Sequence, residues 1–110
     1  MNKIKIISEK VIFNSIHSLT FVNYNNKLTE GAKMHKGFIT SNSYFLDKID
    51  EQSDADIKII TISEWKNKES WDNWFNSTDR KNISEKFKYI NKEEKFDRLF
   101  KRPINNTFLL

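Results

Sequence analysis

Ile57-Lys58-Ile59-Ile60-Thr61-Ile62-Ser63 is the stretch on which the fold turns. A strand sends successive side chains to opposite faces, so Ile57 and Ile59 share one face while Ile60 and Ile62 share the other. Both faces are apolar, which predicts a central strand covered on both sides. Upstream, Asp47 to Asp56 is acidic and without apolar periodicity, and reads as the exposed loop of a β-hairpin. Phe38 to Leu46 is then the partner strand, and Gly37 shapes the turn before it.

Further upstream, Phe21, Tyr24, Leu28 and Ala32 form one stripe of a helix running to about Met34, capped by Asn14 or Ser15. Gly31 and the Asn/Thr residues between Thr20 and Thr29 weaken this helix, so it must lean on tertiary packing. The first strand is Ile4 to Phe13, with a polar interruption at Ser8-Glu9-Lys10 that suggests a bulge. Downstream, Asn67 caps a helix carrying Trp71, Trp74 and Phe75 on one face. Ser77-Thr78-Asp79 restarts helix, with Ile83, Phe87 and Ile90 as its stripe. Phe96, Leu99 and Phe100 form a short amphipathic patch before Pro103, and Asn106 to Leu110 reads as the final strand. The order is β-α-β-β-α-β, a ferredoxin-like α+β arrangement in one domain spanning 1–110. Its helices cover one sheet face only, and the second apolar face of Ile57 to Ile62 asks for another cover. A second copy of the same sheet is the simplest, so a homodimer packed through the sheet face is expected.

The 110 residues carry a formal charge of +4, which invites a nucleic-acid reading. The charge is segmental: +4 over 1–46, −5 over 47–79 and +5 over 80–102. An acidic middle repels phosphate, and only three of the 19 cations are Arg, the residue suited to bidentate phosphate or base recognition. With 16 Lys, 13 Asn and 14 Ile, much of the basicity matches the bias of an AT-rich coding sequence. The basic segment 80–102 reads as a solvated face, or as a dock for an acidic partner. The absence of cysteine excludes disulfides, thiolate metal sites and cysteine nucleophiles. No apolar run approaches membrane-span length, and Met1 to Ser8 lacks signal-peptide character; Asn2 stands where myristoylation needs glycine. A cytoplasmic protein is expected. The Asn-x-Ser/Thr sequons at Asn76, Asn82 and Asn105 are then chance matches in an Asn-rich chain.

Gly37-Phe38-Ile39, then Ile57 to Trp65, then Trp71-Asp72-Asn73-Trp74-Phe75-Asn76-Ser77 occur in an order that resembles the antibiotic biosynthesis monooxygenase (ABM) domain. That family shows a Gly-Phe opening its second strand, a strand ending in Trp, and a helix of the form Trp-x-x-Trp-x-x-Ser. Arg80 follows Ser77 by three, where many members carry a basic residue. The layout covers residues 3 to 84. The resemblance implies a dimeric α+β barrel, and for some members oxidation of polycyclic phenols by molecular oxygen without a cofactor. Other members bind and degrade haem through a proximal His; Ser84 stands at that place here, and a hydroxyl is a poor axial ligand. The only histidines are His17 and His35, so haem degradation is not expected, and no cofactor is.

Cofactor-free oxygenation needs an apolar slot, a base or hydrogen-bond donors, and stabilisation of the substrate anion. The candidates are His17, Trp74 and Tyr44 as catalytic groups, with Asn14, Trp71 and Arg80 binding a small aromatic molecule. His17 suits a base near neutral pH if it faces inward. Each also has a structural reading. Trp71, Trp74 and Phe75 at helical spacing form core, His17 caps or is solvated, Tyr44 reaches a dimer interface, and Arg80 pairs with Glu69 or Asp79.

Metal catalysis has no spacing to support it: the two histidines make no HxxxH pair, and the aspartates from Asp47 to Asp56 lack an EF-hand's Gly and terminal Glu. An RNA-recognition motif shares the element order, and Lys36-Gly37-Phe38 is similar to its RNP1 opening, but Thr40 and Ser43 stand where stacking rings belong. No nucleic-acid or membrane partner is expected. A non-catalytic dimeric module of the same fold, binding a small ligand or a partner, is the alternative to the enzyme.

Overall fold

The alternation of Ile4, Ile6, Ser8, Lys10 and Ile12 with Lys5, Ile7, Glu9 and Val11 continues unbroken along β1 (Ile4–Ile12), whose burial alternates residue by residue. The computed structural model describes residues 3–45 and 56–100. After β1 a single 3-10 turn (Ser15–His17) leads into α1 (Ser18–Lys33), then β2 (Phe38–Phe45), β3 (Ile57–Trp65), α2 (Lys68–Phe75) and α3 (Thr78–Phe87). A second 3-10 turn (Lys88–Ile90) precedes β4 (Asn91–Phe100). The four strands form one antiparallel sheet in the order β2-β3-β1-β4, the ferredoxin-like α+β arrangement, with β3 central as expected. No helix among the described residues is long and apolar enough to cross a membrane.

Three expectations are corrected. The Ser8-Glu9-Lys10 segment is not a bulge: β1 pairs with β3 without a break from Ile4↔Trp65 to Ile12↔Ile57. Its register shifts only against β4, between Val11 and Ile12. The patch carrying Phe96 is not a loose amphipathic piece but part of β4, with Ser8↔Phe96 and Lys10↔Glu94 in register. It supplies the last strand expected at 106–110, a segment outside the described residues, as is most of the acidic 47–56 loop. Finally, α1 begins at Ser18, with His17 at its N-cap, in place of the cap expected from Asn14 or Ser15. Asn14 sits at φ 57°, and its carboxamide oxygen accepts from Ile16 N at 3.0 Å, opening the 3-10 turn in place of capping the helix. Asp56 fixes that corner by accepting from Asn14 N at 3.2 Å.

The helices lie on the face that carries Ile57 and Ile59. There two clusters form. Ile12, Phe21, Tyr24, Ile57, Ile59, Phe87 and Ile90 fill one end; Ile4, Ile6, Ala32, Trp65, Trp71 and Trp74 fill the other. The stripe Phe21–Tyr24–Leu28–Ala32 faces the sheet as its spacing predicts, with Leu28 touching both clusters. On the opposite face Ile7, Val11, Ile60 and Ile62 are half-buried, and Tyr44 is exposed. The corner before β2 depends on glycine. Gly37 has φ +91°, its carbonyl accepts from Lys66 N at 2.7 Å, and a Cβ there would overlap Ser70.

Candidate functional site

Between the helices and the sheet lies a pocket of about 50 Å³. Its floor is the inward face of β1, β2 and β3, where Ser8, Ser41, Thr61 and Ser63 put hydroxyls. Trp65, Trp71, Trp74 and Phe96 wall it, Asn25, Leu28, Thr29 and Ala32 of α1 face it, and two cations, Lys10 and Arg80, also line it. Along the inward face of β1, Ser8 and Lys10 stand between Ile4 and Ile6 on one side and Ile12 on the other, so polarity is written into the inner side of that strand.

Local structure places the helical members. Asn67 is the N-cap of α2, as its sequence position suggests; its side-chain oxygen accepts from Ser70 N and Ser70 Oγ, both at 2.9 Å. Ser77 caps α3: its Oγ accepts from Arg80 N at 3.2 Å and donates to the Trp74 carbonyl at 2.7 Å. The serine of the Trp-x-x-Trp-x-x-Ser pattern therefore ties the tryptophan wall to the arginine. From α1, Gly31 lets Trp74 approach closely; a Cβ at Gly31 would lie 2.9 Å from Trp74 Cη2. His35 meets the same indole from another side, ring centroids 5.0 Å apart, with Nε2 3.8 Å from Asp79 Oδ2.

Arg80 pairs with neither Glu69 nor Asp79. Its Nη2 donates to Glu94 Oε1 at 3.1 Å, and its guanidinium lies 4.3 Å from the Phe75 centroid and 5.1 Å from that of Phe96. Lys10 donates to Ser8 Oγ at 3.0 Å, stands 3.8 Å from Glu94 Oε1, and faces the Tyr24 and Phe96 rings. Burial pulls the Lys10 ammonium down from 10.5 to about 8; Arg80 adds to that fall and Glu94 opposes it. The Tyr24 phenol is pushed up, mainly by burial, with Ser84 Oγ 3.5 Å from its hydroxyl acting the other way. Ser84 thus faces Tyr24 and the sealed end of the core.

Three of the six sequence candidates meet here: Trp71, Trp74 and Arg80 line the pocket. The other three do not. His17 lies in the 3-10 turn with its ring edge-on to Tyr89, centroids 6.0 Å apart. Asn14 serves the left-handed corner described above. Tyr44 is on the opposite sheet face, 53% exposed, because it pairs with Ile60 and shares that residue's side. Lys10, Ser8 and Ser63, which line the pocket, and Glu94, which pairs with both cations, are absent from the sequence candidates. Period-two counting from Ile4 and Ile6 puts Ser8 and Lys10 on the buried face, and that signal was present in the sequence. Among the described residues no group of His, Asp and Glu is arranged to hold a metal ion.

Neither a protein-family model nor a curated protein matches the sequence. Solved structures do match the fold. SnoaB, a cofactor-independent oxygenase from Streptomyces nogalater, superposes with a TM-score of 0.73 over 96% of this chain and 98% of its own, at 8% identity. A conserved protein from Methanosarcina mazei Go1 gives 0.69 over 93% and 95%, at 19% identity. An antibiotic biosynthesis monooxygenase gives 0.62 over 92% and 98%, at 9% identity. Element order, sheet order and these superpositions agree: the chain has the ABM-like fold, a ferredoxin-like α+β sandwich of helices on an antiparallel sheet.

Proposed function

We propose that the chain is an oxygenase of the ABM type, working without a bound cofactor on a small electron-rich aromatic molecule. The pocket carries this reading, because it joins tryptophan walls to buried cations in a fold shared with a cofactor-independent oxygenase. Trp71 and Trp74 flank the oxygen-bearing edge of the ring that reaches the pocket, and Arg80 favours the substrate as its anion. Such an anion supplies the electrons itself: the ring carbon para to the phenol, a CH2 in the keto tautomer, and O2 become a ring C=O and water, with four electrons passing from carbon to oxygen. The homodimer belongs to the same proposal. Ile7, Val11, Ile60 and Ile62 on the uncovered face supply an apolar surface for a second copy.

Oxygen uptake with a panel of reduced polyphenols tests the activity. Uptake above the uncatalysed rate is expected, falling at least tenfold in Arg80→Gln and unchanged in His17→Ala, which lies outside the pocket. No catalysed uptake with any member of the panel removes the oxygenase reading. Sedimentation at micromolar concentration tests the dimer, and a monomer there sinks it. A second reading, a non-catalytic dimeric binding or interaction module, draws on the pocket's size. About 50 Å³ is far below the roughly 300 Å³ at which small-molecule sites begin.

A further inference from the structure

The pocket holds more positive than negative charge. Lys10 Nζ and Arg80 Nη2 both approach one oxygen, Glu94 Oε1, at 3.8 and 3.1 Å. Among the described residues no carboxylate lines the pocket itself. Both cations are withdrawn from water, with side-chain exposures of 5% for Lys10 and 11% for Arg80. A buried excess cation is costly unless something meets it.

Donor bookkeeping points the same way. An ammonium has three hydrogens, and Lys10 spends one on Ser8 Oγ. Glu94 is beyond hydrogen-bond length from it, and the Tyr24 and Phe96 rings, at 5.9 and 5.7 Å, take little. Ser8 Oγ accepts from Lys10, and Ser63 Oγ accepts from Trp65 Nε1 at 3.1 Å. Each serine hydroxyl therefore keeps its own hydrogen to give.

We propose that the pocket binds a small monoanionic oxygen group, held by Lys10 and Arg80 with the Ser8 and Ser63 hydroxyls as further donors. The inference rests on the pocket being the ligand site of the reading above, and it names the charge class of that ligand. Its volume takes only a few heavy atoms, so the guest is a free carboxylate of acetate size or the oxyanion head of a larger ring. The lowered pKa of Lys10, about 8, adds a pH signature. The groups facing its ammonium are Glu94 on β4, Arg80 on α3, Tyr24 on α1 and Ser8 on β1; the inward residues of β3 are uncharged. An anion beside Lys10 favours the protonated form, so affinity falls as pH rises through about 8.

Trp65, Trp71 and Trp74 all line the pocket, so their emission reports its occupancy. Titration with acetate and benzoate, each compared with its amide, is the direct test. Saturable binding of either anion at least tenfold tighter than its amide is expected, weakening above pH 8. Acetate binding identifies a free small anion as sufficient; benzoate binding alone identifies the head of a ring compound. Lys10→Met should lose tenfold or more of that anion affinity, and Lys10→Arg should keep it at pH 9.5. Equal affinity for anions and amides, or a wild-type affinity constant from pH 7 to 9.5, overturns the proposal without any variant. Anion binding with no oxygen uptake leaves this inference standing and removes the oxygenase; oxygen uptake with no anion preference does the reverse.

Discussion

At the Ile12 end of the helix-covered sheet face, isoleucines meet Phe21, Phe87 and Tyr24, and the layer is sealed; Tyr24 stacks on Phe87 with centroids 5.0 Å apart. At the Ile4 end the same two layers enclose indoles, hydroxyls and two cations around a space of about 50 Å³. Lys10 stands on the border, its Nζ over the Tyr24 ring of one end and the Phe96 ring of the other. One end is built for cohesion. The other spends cohesion on polar groups, and it is there that the proposed ligand would sit.

The largest expected effect breaks the sealed end. Ile59 is fully buried there, and Ile59→Ala should cost about 2–5 kcal/mol in urea unfolding. The tryptophan emission of the surviving folded fraction should stay native, since all three indoles line the other end.

At the pocket end the sign reverses. A lysine held near pH 8 instead of 10.5 burdens the folded state with about 3 kcal/mol while both states are charged. Below about pH 8 that cost is fully present. Between pH 8 and 10.5 the unfolded chain holds a proton that the folded one lacks, so wild-type stability gains with pH from this group. Lys10→Met should therefore be more stable than wild type at pH 7, by up to about 3 kcal/mol, and the gap should close towards pH 10.5. Paired urea titrations at pH 7 and 10 measure it. A variant less stable than wild type at pH 7, or a gap that does not narrow towards pH 10.5, would show that burial does not lower the Lys10 pKa as argued.

The smallest effect sharpens the link between cap and site. Ser77→Ala removes the oxygen that accepts from Arg80 N and donates to the Trp74 carbonyl, and should cost about 1 kcal/mol in thermal unfolding.

Elements with strong periodicity were legible from sequence: β3 and its two apolar faces, the α1 stripe, and the Asn67 cap. So were Trp71 and Trp74 as neighbours, through their helical spacing, whereas Arg80 came from the family resemblance, three residues after Ser77. Lys10 was not, because a lysine between Glu9 and Val11 reads as solvated until the strand's parity is trusted over its polarity. Glu94 required β4 to be placed first, and β4's mixture of charge and aromatics hides its alternation. His17 and Tyr44 fell outside for reasons of geometry. A 3-10 turn carries one away, and a one-residue difference in strand parity carries the other to the opposite face.

Gly31 takes no part in lining the pocket, yet it stands behind one of its walls. A helix gives up about 1 kcal/mol by carrying glycine where alanine would serve. What it obtains is room for the edge of the Trp74 ring, which a single methyl group at Gly31 would push out of place. The width of the chamber is thus metered from α1, by an atom that is not there. Gly31→Ala would be expected to firm the helix while resetting what the chamber admits, which separates the robustness of this scaffold from its appetite for a guest.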